Sequence, residues 1–311
     1  MNDHSEQALE EYRRDCEVQG LSKITISHYQ YCLRDYSTFL EERNVGYDSI
    51  TINDVIDYIT YLRNEKGFKA STLEYHFTAL NSFYDYRVFV GKTTTNIIPA
   101  LRKRYLKRYK KQEKTVTRRK ILTPNQMADF LSSIMNPRDK AIATLLVKTG
   151  IRRNELISID LQDINWQDSS LTLKDTRKRS NSVVFFDPEC AKILRQWVNI
   201  RDSIYVRQNC DALFVGSHGG RLRKKGVYDA VTVWAKQKGY YNTNSDANMD
   251  HFSPHNLRHC FTTYLLENGM MREYVKELRG DARKDAVDLY NHIPSESLRE
   301  AYLAAMPQFG L

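Results

Sequence analysis

Apolar positions recur at three- and four-residue steps along most of the chain, the spacing that lines one face of a helix. Ala8, Leu9 and Tyr12 begin such a row and Gly20 stops it. A second row runs from a Ser22 cap through Ile26, Tyr29, Leu33, Tyr36 and Leu40, and Asn44 and Gly46 close it. Thr51 and Ser71 each stand three residues before a carboxylate, the signature of a helix start. Behind them come Val55, Ile56, Ile59 and Leu62, then Leu73, Phe77, Leu80 and Tyr84. Residues 5 to about 90 thus read as a small helical bundle, which Pro99 ends.

Farther along, Thr123-Pro124-Asn125-Gln126 combines a cap, a first-turn proline and a capping-box glutamine. Helical rows follow through Phe130 and Leu131, then Ala141, Ile142, Leu145 and Leu146, until Gly150 breaks the chain and Arg152 opens a short helix. Two short runs rich in apolar residues, 171–173 and 183–186, read as strands around a basic turn, and 212–215 as a third strand. Asp187-Pro188 starts a helix through Ile193, Leu194 and Trp197; Val227, Val231 and Trp234 mark another, and 297–306 a last one. The expectation is a mainly α chain with a small antiparallel β-sheet. Residues 1–100 form a helical domain, 101–121 a basic linker, and 122–311 a second domain with a C-terminal tail helix.

Charge changes the picture most in that linker. Arg102, Lys103, Arg104, Lys107, Arg108, Lys110, Lys111, Arg118, Arg119 and Lys120 crowd a run whose only acid is Glu113. Like charges so dense predict an extended segment, either solvated or laid along a phosphate backbone. Tyr58, Tyr61, Arg63 and Tyr75, left over from the helical rows, read as solvated surface or as DNA contacts. The net charge of +9 points to a polyanionic partner, nucleic acid before membrane. No apolar run is long enough to span a bilayer, and the polar, acidic residues 1–11 do not read as a secretory signal. Cys16, Cys32, Cys190, Cys210 and Cys260 are odd in number and form no CxxC pair, as expected of reduced thiols in a cytoplasmic protein.

The chemistry concentrates between Ser253 and His292. Ser253-Pro254 reads as a helix cap and first turn, which sets His255 and Arg258 three apart on one face. Tyr290 closes the stretch, and Arg152 lies far upstream. A metal-free attack on a phosphodiester needs cations on the non-bridging oxygens, a nucleophile, and a proton for the leaving oxygen. Arginine suits the first task because its planar fork meets two oxygens and stays charged. Arg152 and Arg258 are the candidate cations, Tyr290 the nucleophile, and His255 the acid or base; a hairpin lysine supplies the leaving-group proton.

TGIRRNEL at 149–156, HNLRH at 255–259 and YNHI at 290–293 together resemble the signature boxes of the tyrosine recombinases, or phage integrases. KDTRKRSNSVVFF resembles the hairpin of archaeal members, and residues 5–90 resemble the helical, SAM-like core-binding domain that precedes the catalytic one. The resemblance implies a site-specific recombinase that cuts and rejoins DNA through a 3′-phosphotyrosyl link, needing neither metal nor ATP. Arg152 and Arg258 would clamp the phosphate and Glu155 support the site. The hairpin lysine would be Lys178, with Lys174 the rival. It further implies a homo-tetramer on two double-stranded DNA sites, monomeric or dimeric off DNA, with the tail packed on a neighbour or in cis.

One position departs from the family. Where leucine-glycine-histidine usually precedes the nucleophile by nine residues, this chain has Leu278-Arg279-Gly280-Asp281. An ionised Asp281 repels a phosphate and cannot replace a donating histidine. It either caps a helix or accepts a hydrogen bond from Arg152, Arg258 or His292. Other readings are a type IB topoisomerase, a regulator with a decayed site, and a zinc site from His251, His255 and His259; Pro254, by starting the helix, argues against the last.

Overall fold

The computed structural model describes residues 3–112, 119–174, 181–204, 210–245, 248–281 and 293–311. Contacts divide the chain into two compact units, Met1–Val116 and Thr117–Leu311.

The first unit holds α1 (Asp3–Val18), α2 (Lys23–Glu41), α3 (Ile52–Thr60), α4 (Ala70–Phe89), α5 (Ile98–Leu101) and α6 (Lys107–Gln112). Ser22 caps α2 by accepting from Thr25 N, and Thr51 with Asp54 forms a capping box at α3. Ser71 does not cap α4; it lies inside the first turn, and Lys69 is the cap residue. Several core tyrosines set their hydroxyls against polar partners, while the buried Tyr12 hydroxyl finds none among the described residues. Tyr36 Oη meets Tyr84 Oη at 3.3 Å, and Tyr47 Oη meets Ser37 Oγ at 2.6 Å. Tyr58, read as a surface residue, is fully buried with its hydroxyl 3.3 Å from both Asp35 and His76. Buried phenols are tolerated when the oxygen is hydrogen-bonded, which an apolar-row reading does not register.

The basic run also differs from expectation. Residues 98–112 are helical, with a π turn at Arg102–Leu106 joining α5 to α6. Pro99 starts this segment rather than ending one, since a first-turn proline gives up no hydrogen bond. Ile98, Leu101 and Leu106 enter the first unit's core, and Tyr105 and Tyr109 pack at its edge. This apolar face outweighs charge repulsion. Lys103, Arg104, Lys107, Arg108 and Lys110 are exposed, while Arg102 pairs with Glu74 at 2.9 Å.

The second unit contains α7 (Pro124–Ser133), α8 (Pro137–Thr149), α9 (Arg153–Ser158), α10 (Pro188–Ile204), α11 (Lys224–Gln237), α12 (Pro254–Glu267), α13 (Arg272–Arg279) and α14 (Ser295–Ala305). Three strands, β1 (Ile164–Asn165), β2 (Ser170–Thr172) and β3 (Val183–Phe185), pair antiparallel in that order, Leu171 facing Ile164 and Val184. Residues 212–215 form no strand; they make single bridges from Ala212 to Asp160 and from Val215 to Arg221. Helix α8 is the hub, buried from Ala141 to Thr149 and packed against α10, α11 and α12.

Within α8, Lys148 is fully buried between Asp187 and Glu189, 2.6 Å from each. It also donates to the Pro307 carbonyl, and Glu189 accepts the amides of Phe309 and Leu311. Phe309 joins the main core, while Leu298, Tyr302 and Met306 of the tail pack on Phe261, Leu265 and Leu278. The tail therefore packs in cis.

Candidate active site

Three structural features bring the distant arginines together. Pro254 occupies the first turn of α12, and Asn256 reaches back to accept from Ser253 N at 3.0 Å. The same Asn256 donates to the Lys120 carbonyl at 3.1 Å, and Tyr264 Oη to the Leu122 carbonyl at 2.6 Å, fixing the helix against the unit's N-terminal strap. Leu257, Cys260, Phe261 and Tyr264 face inward, and Arg258 is carried into the protein with 5% of its surface exposed.

At the end of α8, Gly150 adopts a left-handed conformation (φ 62°) and donates to the Leu146 carbonyl. A Cβ there would stand 2.3 Å from the Phe261 ring, so glycine lets α8 and α12 approach. The freed Gly150 carbonyl accepts from Arg258 Nη1. Two residues on, Arg152 caps α9, its amide donating to Glu155 Oε2 at 2.7 Å and its Nη1 to Glu155 Oε1 at 3.0 Å. Glu155 is buried, so one carboxylate sets both the backbone and the guanidinium of Arg152.

Both guanidiniums then converge on one oxygen. Arg152 Nη2 donates to Asp281 Oδ1 at 3.2 Å and Arg258 Nη2 to the same atom at 3.1 Å. Arg258 Nη2 also donates to the Arg279 carbonyl at 2.9 Å, and Arg279 Nε lies 3.2 Å from Asp281 Oδ2. Asp281 follows Gly280, the left-handed residue that ends α13. Burial and the neighbouring Arg152 and Arg279 push the Arg258 guanidinium down to about 10, so it remains charged at neutral pH.

His255 is exposed one turn before Arg258, its ring edge-on to His259 at 4.6 Å between centroids. Partial desolvation, then the charges of Arg119, His259, Arg258 and Arg153, hold its pKa down to about 4, so the free site carries a neutral imidazole. His259 is lowered too, first by burial and then by Arg119 and Arg279, and its buried Nε2 has no hydrogen-bond partner among the described residues. His251 lies before the helix and faces the Asn242 carbonyl at 2.9 Å. Among the described residues no group of three or more potential ligands gathers at metal-binding distance.

Lys174, the rival for the hairpin role, is tied to Asp160 at 2.6 Å, where Arg221 also binds. Tyr290, His292, Lys178 and Arg118 lie outside the described residues, as does the side chain of Lys111. Arg119 is exposed, and Lys120 places its ammonium 5.1 Å from the Tyr240 ring centre. Two cations near the site escaped the sequence reading as site residues: Arg279, and Arg119, counted only with the basic run. The signal for Arg279 was its position two residues before the anomalous Asp281.

Residues 120–296 match the phage integrase family, and residues 8–89 match the phage integrase N-terminal SAM-like domain. Tyrosine recombinase XerD of Oceanobacillus iheyensis is 27% identical over 311 residues, covering 97% of this chain and 99% of that one. Among solved structures, an integrase of the Tn1549 transposon in complex with a circular intermediate DNA aligns at TM-score 0.70 and 16% identity, over 94% of this chain and 97% of that one. A lambda integrase tetramer bound to a Holliday junction aligns at TM-score 0.67 and 16% identity, over 92% and 77%. These last two likenesses are of fold.

Proposed function

The chain belongs to the phage integrase family, the tyrosine recombinases, and we propose from this how its own residues cut and rejoin DNA at specific sites. It is a site-specific DNA strand transferase. The observation that carries the assignment of roles is the meeting of Arg152 and Arg258 on one carboxylate oxygen, at distances that also suit a phosphate oxygen. These two side chains are assigned to the non-bridging oxygens of the scissile phosphate, whose growing negative charge they stabilise.

Tyr290 is assigned as nucleophile. Its phenolic oxygen bonds to phosphorus as the bond to the 5′-oxygen breaks, leaving a 3′-phosphotyrosyl ester. The phenolic proton passes to His255, whose neutral state in the free site suits a base. The leaving 5′-oxygen takes a proton from the hairpin lysine, assigned to Lys178 because Lys174 is already paired with Asp160. A 5′-hydroxyl from the partner duplex then reverses these steps. The ester conserves the energy of the broken bond, so no nucleotide is consumed.

The five exposed cations of residues 103–110 are assigned to the DNA backbone, each neutralised phosphate steepening the salt dependence by about one unit. Two sites brought together call for four copies, as in the lambda integrase tetramer on a Holliday junction. No helix among the described residues is long and apolar enough to cross a membrane, and a DNA-associated, cytoplasmic protein is the reading that suits this chemistry. The topoisomerase and decayed-regulator readings are not favoured, since the matching relatives are recombinases.

The test is trapping on nicked DNA that carries candidate sites. The wild-type chain is expected to form a covalent adduct whose peptide map ends at Tyr290, and Tyr290→Phe to form none while still binding DNA. An adduct on another residue, or one that survives in Tyr290→Phe, contradicts the assignment.

A further inference from the structure

Asp281 sits where the family places a phosphate-contacting donor, yet it is an anion. Its surroundings explain how an anion is tolerated there. Arg152 and Arg258 donate to Oδ1 at 3.2 and 3.1 Å, and Arg279 Nε lies 3.2 Å from Oδ2. Arg258 Nη2 uses both of its hydrogens, on Asp281 and on the Arg279 carbonyl, so a phosphate can take that donor only if Asp281 releases it. About a third of the Asp281 side chain is exposed, as is about a third of the Arg152 and of the Arg279 side chain, while Arg258 is buried beneath. The anion thus lies at the mouth of a cationic pocket, within reach of solvent.

We propose that Arg152, Arg258 and Arg279 form a single three-arginine oxyanion site, that the Asp281 carboxylate occupies it in the DNA-free protein, and that a phosphate enters by displacing that carboxylate. Arg279 then supplies the third phosphate contact, the one a histidine makes elsewhere in the family. The scissile phosphodiester presents two non-bridging oxygens, as the carboxylate does, and each can accept from more than one guanidinium N–H, so it can take over the bonds that Asp281 now accepts. The same carboxylate keeps three like charges together before DNA arrives, which costs affinity for the incoming phosphate but holds the donors in place. Arg279 is a half-buried cation on the last turn of α13, aimed at the carboxylate through its side chain while its carbonyl anchors Arg258.

This rests on the strand-transfer reading, and the experiment separates the two. Inorganic sulfate is titrated into the full chain without DNA, and binding is followed by calorimetry and by the rise in melting temperature. Asp281→Asn keeps the shape of the side chain and removes its charge, so sulfate affinity is expected to rise on the order of tenfold over wild type. Adding Arg279→Ala to Asp281→Asn is expected to abolish most of that gain. Asp281→His, the family's own residue, serves as a second charge-free variant at neutral pH should Asp281→Asn fold poorly, and is expected to show the same gain. Unchanged or weaker sulfate binding in both Asp281 variants overturns the plug. A gain that persists without Arg279 overturns its place in the site. None of these readouts involves Tyr290 or DNA, so a failure to trap covalent adduct would sink the strand-transfer reading and leave the sulfate result standing.

Discussion

Replacing Gly150 by alanine tests how the fold brings the two arginines together. Two costs follow from the structure. At φ 62° an alanine sits in the left-handed region, which disfavours a Cβ by roughly 1–2 kcal/mol. The new methyl carbon would also stand 2.3 Å from Phe261 Cδ1, and Phe261 is 1% exposed and cannot swing away. Overpacking a core of this kind costs roughly 1–3 kcal/mol. The expected loss is therefore about 2–5 kcal/mol, the sum of the two effects. Urea unfolding followed by tryptophan fluorescence is the assay, because Trp166, Trp197 and Trp234 all fall within Thr117–Leu311 and report that unit alone. With a denaturant slope near 2 kcal/mol per molar, the midpoint should fall by about 1–2.5 M. Gly269→Ala is the control: Gly269 is also left-handed (φ 84°), but an alanine methyl there would meet no atom within 4 Å, so only the conformational cost applies. Since the Gly150 carbonyl holds Arg258, DNA cleavage by Gly150→Ala should fall even at temperatures where the variant is folded. Equal midpoints for Gly150→Ala and Gly269→Ala would refute the steric reasoning.

Other consequences are as direct. Lys148→Met leaves Asp187 and Glu189 buried without their cation and should cost about 3–5 kcal/mol by the same fluorescence assay. Burial raises the Glu189 carboxyl, but Lys148 and the tail amides outweigh it and hold its pKa below the ordinary 4.5. A depressed carboxyl stabilises above its unfolded value and loses that contribution as pH falls through the folded one, so the gap between Lys148→Met and wild type should narrow below pH 4.5. His255 ring protons followed by NMR should titrate with a midpoint near 4, and a midpoint at the ordinary 6.5 would contradict the crowding of cations around it. Because the unfolded chain takes up that proton first, His255 lowers stability as pH falls from 6.5 toward 4.

The helices were legible because their apolar rows and caps are local signals, and Ser22, Thr51, Thr123 and Pro254 all stand where they were expected. The larger misreadings share one cause, contacts between residues far apart in the chain. Tyr58 looks polar-edged until its hydroxyl is seen against Asp35 and His76. The basic run looks extended until Leu101 and Leu106 find the first unit's core. Residues 212–215 have strand composition, but the neighbouring chain offers them only isolated bridges. Of the site, Asp281 stood out as an anomaly, and its accepting from Arg152 or Arg258 was one of two alternatives open in the sequence; that it accepts from both at once required the fold. A single arginine on a helix carries no pattern of its own, so only its place two residues before Asp281 marked Arg279.

If Arg152 and Arg258 grip the same phosphate, removing that phosphate's charge chemically should remove most of what they contribute. Cleavage should be measured for the wild type, Arg152→Ala, Arg258→Ala and the double variant, on a phosphodiester and on a neutral methylphosphonate at the scissile position. On the diester each single loss is expected to slow cleavage by roughly 10²–10³-fold, with the double variant well short of the product because the two act as a unit. On the methylphosphonate, which lacks one charged oxygen, the losses should shrink sharply. Equal losses on both substrates would mean that the two guanidiniums serve some other purpose than holding that anion.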